Sequence, residues 1–441
     1  MAAHERFHLK TVKEVEAALA RLGLQMPLAA DASVLAEAVP VGTAMAANRF
    51  AVHPMEGFDA EPDGGPGPLA FRRYERYASG GSAVIWFEAT AVVPEGRSNP
   101  RQLCLCEGNV AGFGRLAART RATARERCGH EPILILQLTH SGRYSRPDGA
   151  PSPVIAHHSA ALDARHGLPP DHPLITDDAL DRLPRRFADA ARLAAKAGFD
   201  GVDVKSCHGY LVSELLASFT RSGRYGGPFE NRTRFLLDTL RRIREEAPGV
   251  FATTRMSAFD GIAYPFGFGV DPADPSMPDL REPAALAAAL APDVPILNVS
   301  IGNPYFNPHL GRPFDRPARG TPLPEEHPLE SIVRFQRITR AVQLAAPRVP
   351  VIASGYAWLR HLVPYAAAAA IRSGGAAFIG QGRGAFAYPD SPRDVLRTGR
   401  MDEAKCCIAC SACTDLMRRG EMTGCVVRDR EVYGAGKSPA P

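Results

Sequence analysis

The stretch GVDVKSCHGY, residues 201–210, opens as a β-branched run and turns polar and ionisable straight after Val204. Its first half has the composition of a short buried strand, and the polar half falls where such a strand would end. The residues before it carry a helical period. Thr176 is placed to cap a helix on which Leu180, Leu183, Phe187, Ala190, Ala191 and Ala194 share one face, and Gly198 is placed to end it. A helix, then a strand, then a polar strand end is the repeating unit of a parallel α/β fold.

Seven more runs of the same kind flank it. In chain order the eight are RFAVHPM from Arg49, AVIWFEAT from Ala83, PILILQLTH from Pro132, GVDVKSC from Gly201, FATTRMS from Phe251, PILNVSIG from Pro295, VPVIASG from Val349 and AAFIGQG from Ala376. Helical patterns separate them, for instance over residues 231–247 and 329–346. Eight such pairs without a break in composition predict a single (β/α)8 TIM barrel. A doubly wound sheet is the alternative, and no G-x-G-x-x-G follows an early strand to support it. The expected organisation is an N-terminal helical extension over residues 1–40, the barrel over 41–400 and a cysteine-bearing segment over 401–441.

The bulk numbers are those of an ordinary soluble globular protein. Of 441 residues, 45% are hydrophobic and 22% charged, so a large core is available and disorder is not indicated. The net charge of +5 comes from 52 basic and 47 acidic residues spread along the chain, which gives no support to nucleic-acid binding. Only six of the basic residues are lysines, so Lys205 within a strand end stands out. The N-terminus is amphipathic and charged, and no window approaches the roughly 18 apolar residues of a membrane span, so the expected location is cytoplasmic. Thiols stay reduced there, and a cysteine cluster reads as a metal site.

Five of nine cysteines lie between Lys405 and Cys425. The pattern Cys407-x2-Cys410-x2-Cys413-x11-Cys425 offers four thiolates, as a 4Fe-4S cube requires. A zinc site is the alternative, although it more often shows two separated C-x-x-C pairs. Cys406 is a spare, and Cys104, Cys106, Cys128 and Cys207 read as buried small residues.

In a barrel the chemistry sits at the C-terminal strand ends, and phosphates are commonly held after the last two strands. Gly355, Gly382 and Arg383 fit that role: glycine lets backbone N–H groups approach a phosphate, and arginine adds a forked cation. The long loops 142–175 and 303–328, the second with seven prolines, suit a lid or substrate wall.

The pieces NRFAVHPM, QLTHSGR, GVDVKSCHGYL, RYGGPFENRTRF, the Arg255 strand and GQGRGAFAYPD, in this order, resemble the old yellow enzyme family of FMN-dependent barrels. The resemblance implies that Pro54, Met55 and Ala89 line the flavin, that Gln137 bonds its pyrimidine edge and that Arg255 sits beside N1 and O2. Together with the cysteines it is similar to the iron-sulfur branch of that family, which includes 2,4-dienoyl-CoA reductase and trimethylamine dehydrogenase. In those longer relatives a nucleotide-binding module follows the cluster. Here the chain ends 16 residues after Cys425, so the expectation is a barrel and cluster without that module.

The resemblance also assigns the reacting face. Lys205 and His208 match positions that bind a substrate carbonyl, and Tyr210 matches a proton donor. Lys205 departs from the usual histidine or asparagine, and an ammonium there can stabilise an enolate or meet a substrate carboxylate. A plain salt bridge from Lys205 to Asp203 or Glu214 is the structural alternative. Glu56 is a second departure, a carboxylate where a small residue is usual beside the flavin carbonyl; it can tune the flavin or act as an acid. The expected activity is hydride delivery from flavin N5 to an activated C=C bond of an unsaturated carbonyl or carboxylate compound. The alternatives are amine dehydrogenation or demethylation, as in trimethylamine dehydrogenase, and an electron-transfer subunit of a larger complex. Electrons would come from NAD(P)H, directly or indirectly, or through a ferredoxin, flavodoxin or separate reductase docking near Lys405, Arg418, Arg419, Arg428 and Arg430. An oligomeric assembly is compatible with all of this.

Overall fold

A computed structural model describes residues 4–434; residues 1–3 and 435–441, the outer ends of the expected N-terminal and cysteine-bearing segments, lie outside the described part. All eight expected strands form. They are β3 (Phe50–Val52), β4 (Val84–Ala91), β5 (Ile133–Thr139), β6 (Gly201–Val204), β7 (Phe251–Ser257), β8 (Leu297–Ser300), β9 (Val351–Ala353) and β10 (Phe378–Gln381), which close a parallel barrel with β10 against β3. Closure is in register: Ile379 lies beside Phe50, Gly380 beside Ala51 and Gln381 beside Val52. Nearly every strand residue is buried, polar ones included, because helices cover the outside and side chains fill the inside.

A feature the periodicity did not show is an antiparallel hairpin, β1 (Val39–Val41) and β2 (Ala44–Ala46). Val39, Val41 and Ala46 pack with Trp86, Ile135, Ile296 and Phe378, so the hairpin plugs the barrel at the end opposite the polar strand ends. Three-residue strands are too short to register as alternation.

The helices follow their capping signals. The helix Asp177–Lys196 starts at Thr176, whose hydroxyl accepts from the Ala179 N–H, and the chain turns at Gly198 with φ +83°, a value that favours glycine. The helix Pro328–Ala345 starts at a capping box formed by His327 and Glu330. At the N-terminus the helix Val12–Arg21 lays Val15, Ala18 and Leu19 onto a satellite core with Trp358 and Leu359. No helix among the described residues is long and apolar enough to cross a membrane.

The mouth of the barrel is braced by ions. Buried Arg73 donates to Asp59 (2.6 and 2.9 Å) and to Glu88 (2.6 Å), and the other Glu88 oxygen accepts the Gly57 N–H at 2.7 Å. This fixes the turn after Pro54-Met55-Glu56. Burial holds the Glu88 carboxyl up at about 7 in spite of Arg73. Removing the cation leaves two buried carboxylates without a counter-charge, so Arg73→Met is expected to cost about 3–5 kcal/mol of unfolding free energy in urea titrations. A loss below about 1 kcal/mol would show that the network does not brace the mouth.

Candidate active site

The strand ends open onto a cavity whose empty space, with the solvent at its mouth, is about 760 Å³. Five of the nine residues expected to hold the cofactor line it: Met55, Arg255, Gly355, Gly382 and Arg383. The other four lie elsewhere around the mouth. Pro54 and Ala89 are buried, and the β4–β5 register shifts between Phe87 and Thr90, an irregularity that re-aims Ala89. The Gln137 amide donates to Asp203 at 2.6 Å, which leaves its carbonyl oxygen and second N–H. Glu56 turns to the reacting residues described below.

The cavity walls suit a flavin mononucleotide. The Nε atoms of Arg255 and Arg383 and the Gln381 Nε2 are buried without hydrogen-bond partners, so donors are held ready for an occupant with several acceptors. The backbone is bare where a side chain would obstruct. A Cβ at Gly380 would meet the His53 ring at 2.1 Å, and Gly355 has φ +93°. His53 was not anticipated from the sequence; it bridges Ser354 Oγ (2.9 Å) and Asn298 Nδ2 (3.1 Å) across the barrel. Burial, then the charge of Arg255, keep its imidazole neutral by pushing it well below its ordinary range.

The three residues expected to react come together at the end of β6. His208 and Gly209 both adopt left-handed conformations (φ +65° and +71°), turning the chain so that Tyr210 opens the helix Leu211–Leu216. The Tyr210 hydroxyl donates to Glu56 Oε1 at 3.1 Å, and Lys205 Nζ lies 3.7 Å from the same oxygen and 3.5 Å from the Tyr210 ring centroid. Ser98 donates to the other Glu56 oxygen at 2.9 Å. Lys205 thus pairs with Glu56, whereas Glu214 is engaged by Arg143 and Asp203 by Trp86 and Gln137. His208 Nε2 is 3.1 Å from Ser300 Oγ.

Burial acts on the charge of each group. Burial lowers the Lys205 ammonium from its ordinary value, with Glu56 working against that shift. Burial, reinforced by the Glu56 carboxylate, lifts the Tyr210 phenol well above its ordinary range, so it remains a proton donor. Burial and then Arg255 hold His208 well below its ordinary range, hence neutral. Arg383 and His53 also act on His208, which ties this face electrostatically to the cavity.

Tyr305, in the proline-rich loop, lies with its hydroxyl 3.2 Å from that of Tyr210 and its ring stacked on Tyr144 at 3.9 Å. Neither tyrosine was singled out from sequence. The signal present was the length and stiffness of their two loops.

Cys407, Cys410, Cys413 and Cys425 line a second cavity of about 360 Å³, bordered by Arg312 and Arg383. Ala409 and Ser411, on either side of Cys410, take positive φ values of +51° and +59°, a costly backbone that turns successive thiols toward one space. Cys406 is absent from that lining, and its thiol donates to the Asp402 carbonyl at 3.3 Å. Among the described residues, no three His, Cys, Asp or Glu side chains converge on a point that could hold a metal ion. Four thiols line one cavity, the number that a cluster taking one cysteine per iron requires. Of the remaining cysteines, Cys104 and Cys207 are buried and Cys128 is half-buried, but Cys106 is exposed, contrary to its reading as a core residue, because it lies in the turn that leads into the helix Val110–Cys128.

Comparisons with known proteins agree with this architecture. The chain is 32% identical over 201 residues to an NADPH dehydrogenase of Halalkalibacterium halodurans, covering 45% of this chain and 55% of that protein. The chain spans about half to three-fifths of the length of the curated relatives it matches. Among solved structures, a complex of 2-naphthoyl-CoA reductase with 2-naphthoyl-CoA superposes with a TM-score of 0.71 at 18% identity, over 90% of this chain and 57% of that one. Histamine dehydrogenase from Rhizobium sp. 4-9 superposes with a TM-score of 0.68 at 20% identity, over 90% and 52%. These two show a shared fold. Residues 35–271, more than half of the chain, match the family profile directly, and the protein therefore belongs to the NADH:flavin oxidoreductase / NADH oxidase family, the old yellow enzymes that its motifs resemble.

Proposed function

We propose that the protein is an FMN- and iron-sulfur-dependent oxidoreductase that reduces an activated carbon–carbon double bond. The observation that carries this reading is the cluster of Tyr210, Lys205 and His208 beside a cavity lined by Arg255 and Arg383. Bound FMN would supply hydride at N5, and a 4Fe-4S cluster on Cys407, Cys410, Cys413 and Cys425 would pass single electrons.

The chain's own residues account for the rest. Lys205 and His208 can hold a substrate carbonyl or carboxylate oxygen and stabilise the charge that develops on it as hydride adds to the distant carbon. Tyr210 then gives its proton to the carbon next to the carbonyl. Glu56 keeps the phenol oriented through its hydrogen bond and holds Lys205 by charge. The stacked pair Tyr144 and Tyr305 forms one wall of the site, with Tyr144 buried and Tyr305 open to solvent on its outer side.

A second reading rests on the same residues. Pairing with Glu56 reduces the repulsion Lys205 would exert on a cationic amine, and three tyrosine rings next to a carboxylate suit such a substrate. Anaerobic turnover of a panel of enones, enoates and amines with an artificial electron carrier separates the two. Turnover of unsaturated carbonyl compounds is expected; turnover of amines alone would replace the proposal with amine dehydrogenation. A protein that held FMN and iron but turned over neither class would stand as an electron-transfer subunit.

For electron supply, the proposed route is a ferredoxin, flavodoxin or separate reductase docking near the cysteine segment. Lys405 and Arg419 there are exposed but paired with Asp394 and Glu421, so the attraction for an acidic carrier rests chiefly on Arg418, Arg428 and Arg430. In stopped-flow mixing, NADH or NADPH alone is expected to reduce the flavin more slowly than turnover, and Cys410→Ser to abolish carrier-driven activity. Full activity of that variant with NADPH would show direct hydride donation instead.

Tyr210→Phe is expected to slow substrate reduction by about 10²-fold or more while sparing flavin reduction. Equal loss in both half-reactions would make Tyr210 structural. Because burial lowers Lys205 and raises Tyr210, the alkaline limb of kcat/KM should fall below the ordinary lysine value of about 10.4 and report Lys205. Lys205→Arg, which stays charged, should move that limb upward; an unmoved limb would show that another group titrates.

A further inference from the structure

The proline-rich loop after β8 reaches two places at once. Near its start Tyr305 touches Tyr210. Further along, Arg312 turns inward and is 8% exposed, and it lines both the larger cavity and the cavity of the four cysteines. Its Nη2 donates to the Ser411 hydroxyl at 2.8 Å, and that hydroxyl donates to the Arg316 carbonyl at 2.7 Å. Asp315 N–H to the Ala409 carbonyl (3.0 Å) and Arg319 N–H to Asp415 (2.9 Å) stitch the same loop to the same segment. The guanidinium is therefore anchored through Nη2 to a segment that the loop itself grips on either side of it.

Among the described residues no carboxylate lies within ion-pair distance of it. The charged and ionisable groups that act on Arg312 are Arg383, of the same sign, and the thiols of Cys413, Cys407 and Cys410. Arg383 lies beside it with its own Nε buried and without a partner. Two neighbouring guanidiniums, Arg312 buried and Arg383 half-buried, are costly unless a bound anion compensates them. The larger cavity suits a phosphate-bearing flavin, and a cluster held by four thiolates carries net negative charge.

On the reading that the protein holds both groups, we infer that Arg312 is a shared binding residue. One guanidinium serves as counter-charge to the flavin phosphate on one side and to the cysteine-ligated cluster on the other, so that flavin retention and cluster potential are set together. A fixed cation favours the more negative, reduced cluster and raises its potential. Neutralising it lowers the potential and loosens the flavin in the same protein.

The test uses anaerobically purified wild type, Arg312→Gln, Arg312→Lys and Ser411→Ala. Iron and acid-labile sulfide are quantified, FMN release is followed by its fluorescence, and the cluster potential is read by EPR-monitored redox titration. Arg312→Gln is expected to weaken FMN retention tenfold or more and to shift the cluster equilibrium at least tenfold toward the oxidised form, about 59 mV for one electron. Arg312→Lys keeps the charge and should restore most of the potential but less of the flavin retention, since an ammonium lacks the fork. Ser411→Ala frees the guanidinium without removing it and should move the potential the same way by less. Wild-type iron content with unchanged FMN release and unchanged potential in both Arg312→Gln and Ser411→Ala overturns the inference. A wild-type protein without iron and sulfide overturns the cluster reading itself, and the inference with it.

Discussion

Inside the barrel the Asp203 carboxylate accepts from the Trp86 indole of β4 (2.7 Å), the Gln137 amide of β5 (2.6 Å) and the Arg255 N–H of β7 (2.7 Å). Four consecutive strands are thereby tied through one buried group at the level where packed core gives way to the polar mouth. Burial pushes this carboxyl up to about 6, and the three donors resist that shift. The positions of Gln137, Arg255 and the turn beginning at Lys205 all depend on it. An unsatisfied carboxylate at this depth would be intolerable, so its three donors are part of the fold.

Above that level the mouth is organised by charge. Arg73 braces the turn that carries Glu56, and Glu56 in turn engages Tyr210, Lys205 and Ser98. On the far side Arg255, Arg383 and Arg312 line a space with few compensating groups. One half of the mouth is internally paired and the other awaits an anion. That asymmetry suits a site in which a negatively charged cofactor is a permanent part of the structure and the paired half meets the substrate. The proline-rich loop joins the two, with Tyr305 at the substrate end and Arg312 at the cysteine end.

Much of this was legible in the sequence. The eight strands were visible because each is a short apolar run ending in polar residues, and the helix caps at Thr176 and Gly198 announced their boundaries. The juxtaposition of Lys205, His208 and Tyr210 followed from their being within six residues on one strand end. What was not legible depends on distance along the chain. The partner of Lys205 is Glu56, 149 positions away, and local alternatives such as Asp203 are consumed by strands that sequence cannot align. His53, Tyr305 and Arg312 stayed hidden because single residues in loops or just past a strand carry no period. The β1–β2 hairpin was too short to alternate. Cys106 was misjudged because residue type alone does not reveal a turn.

The central claim is that one chain holds a two-electron flavin next to a one-electron cluster. The most direct measurement is an anaerobic dithionite titration of the purified protein, followed by absorbance and EPR, that counts electrons per chain. The account predicts about three electrons, two bleaching the flavin band and one giving the EPR signal of a reduced cluster. Uptake of only two electrons, with full flavin bleaching and no EPR signal from iron, would contradict it.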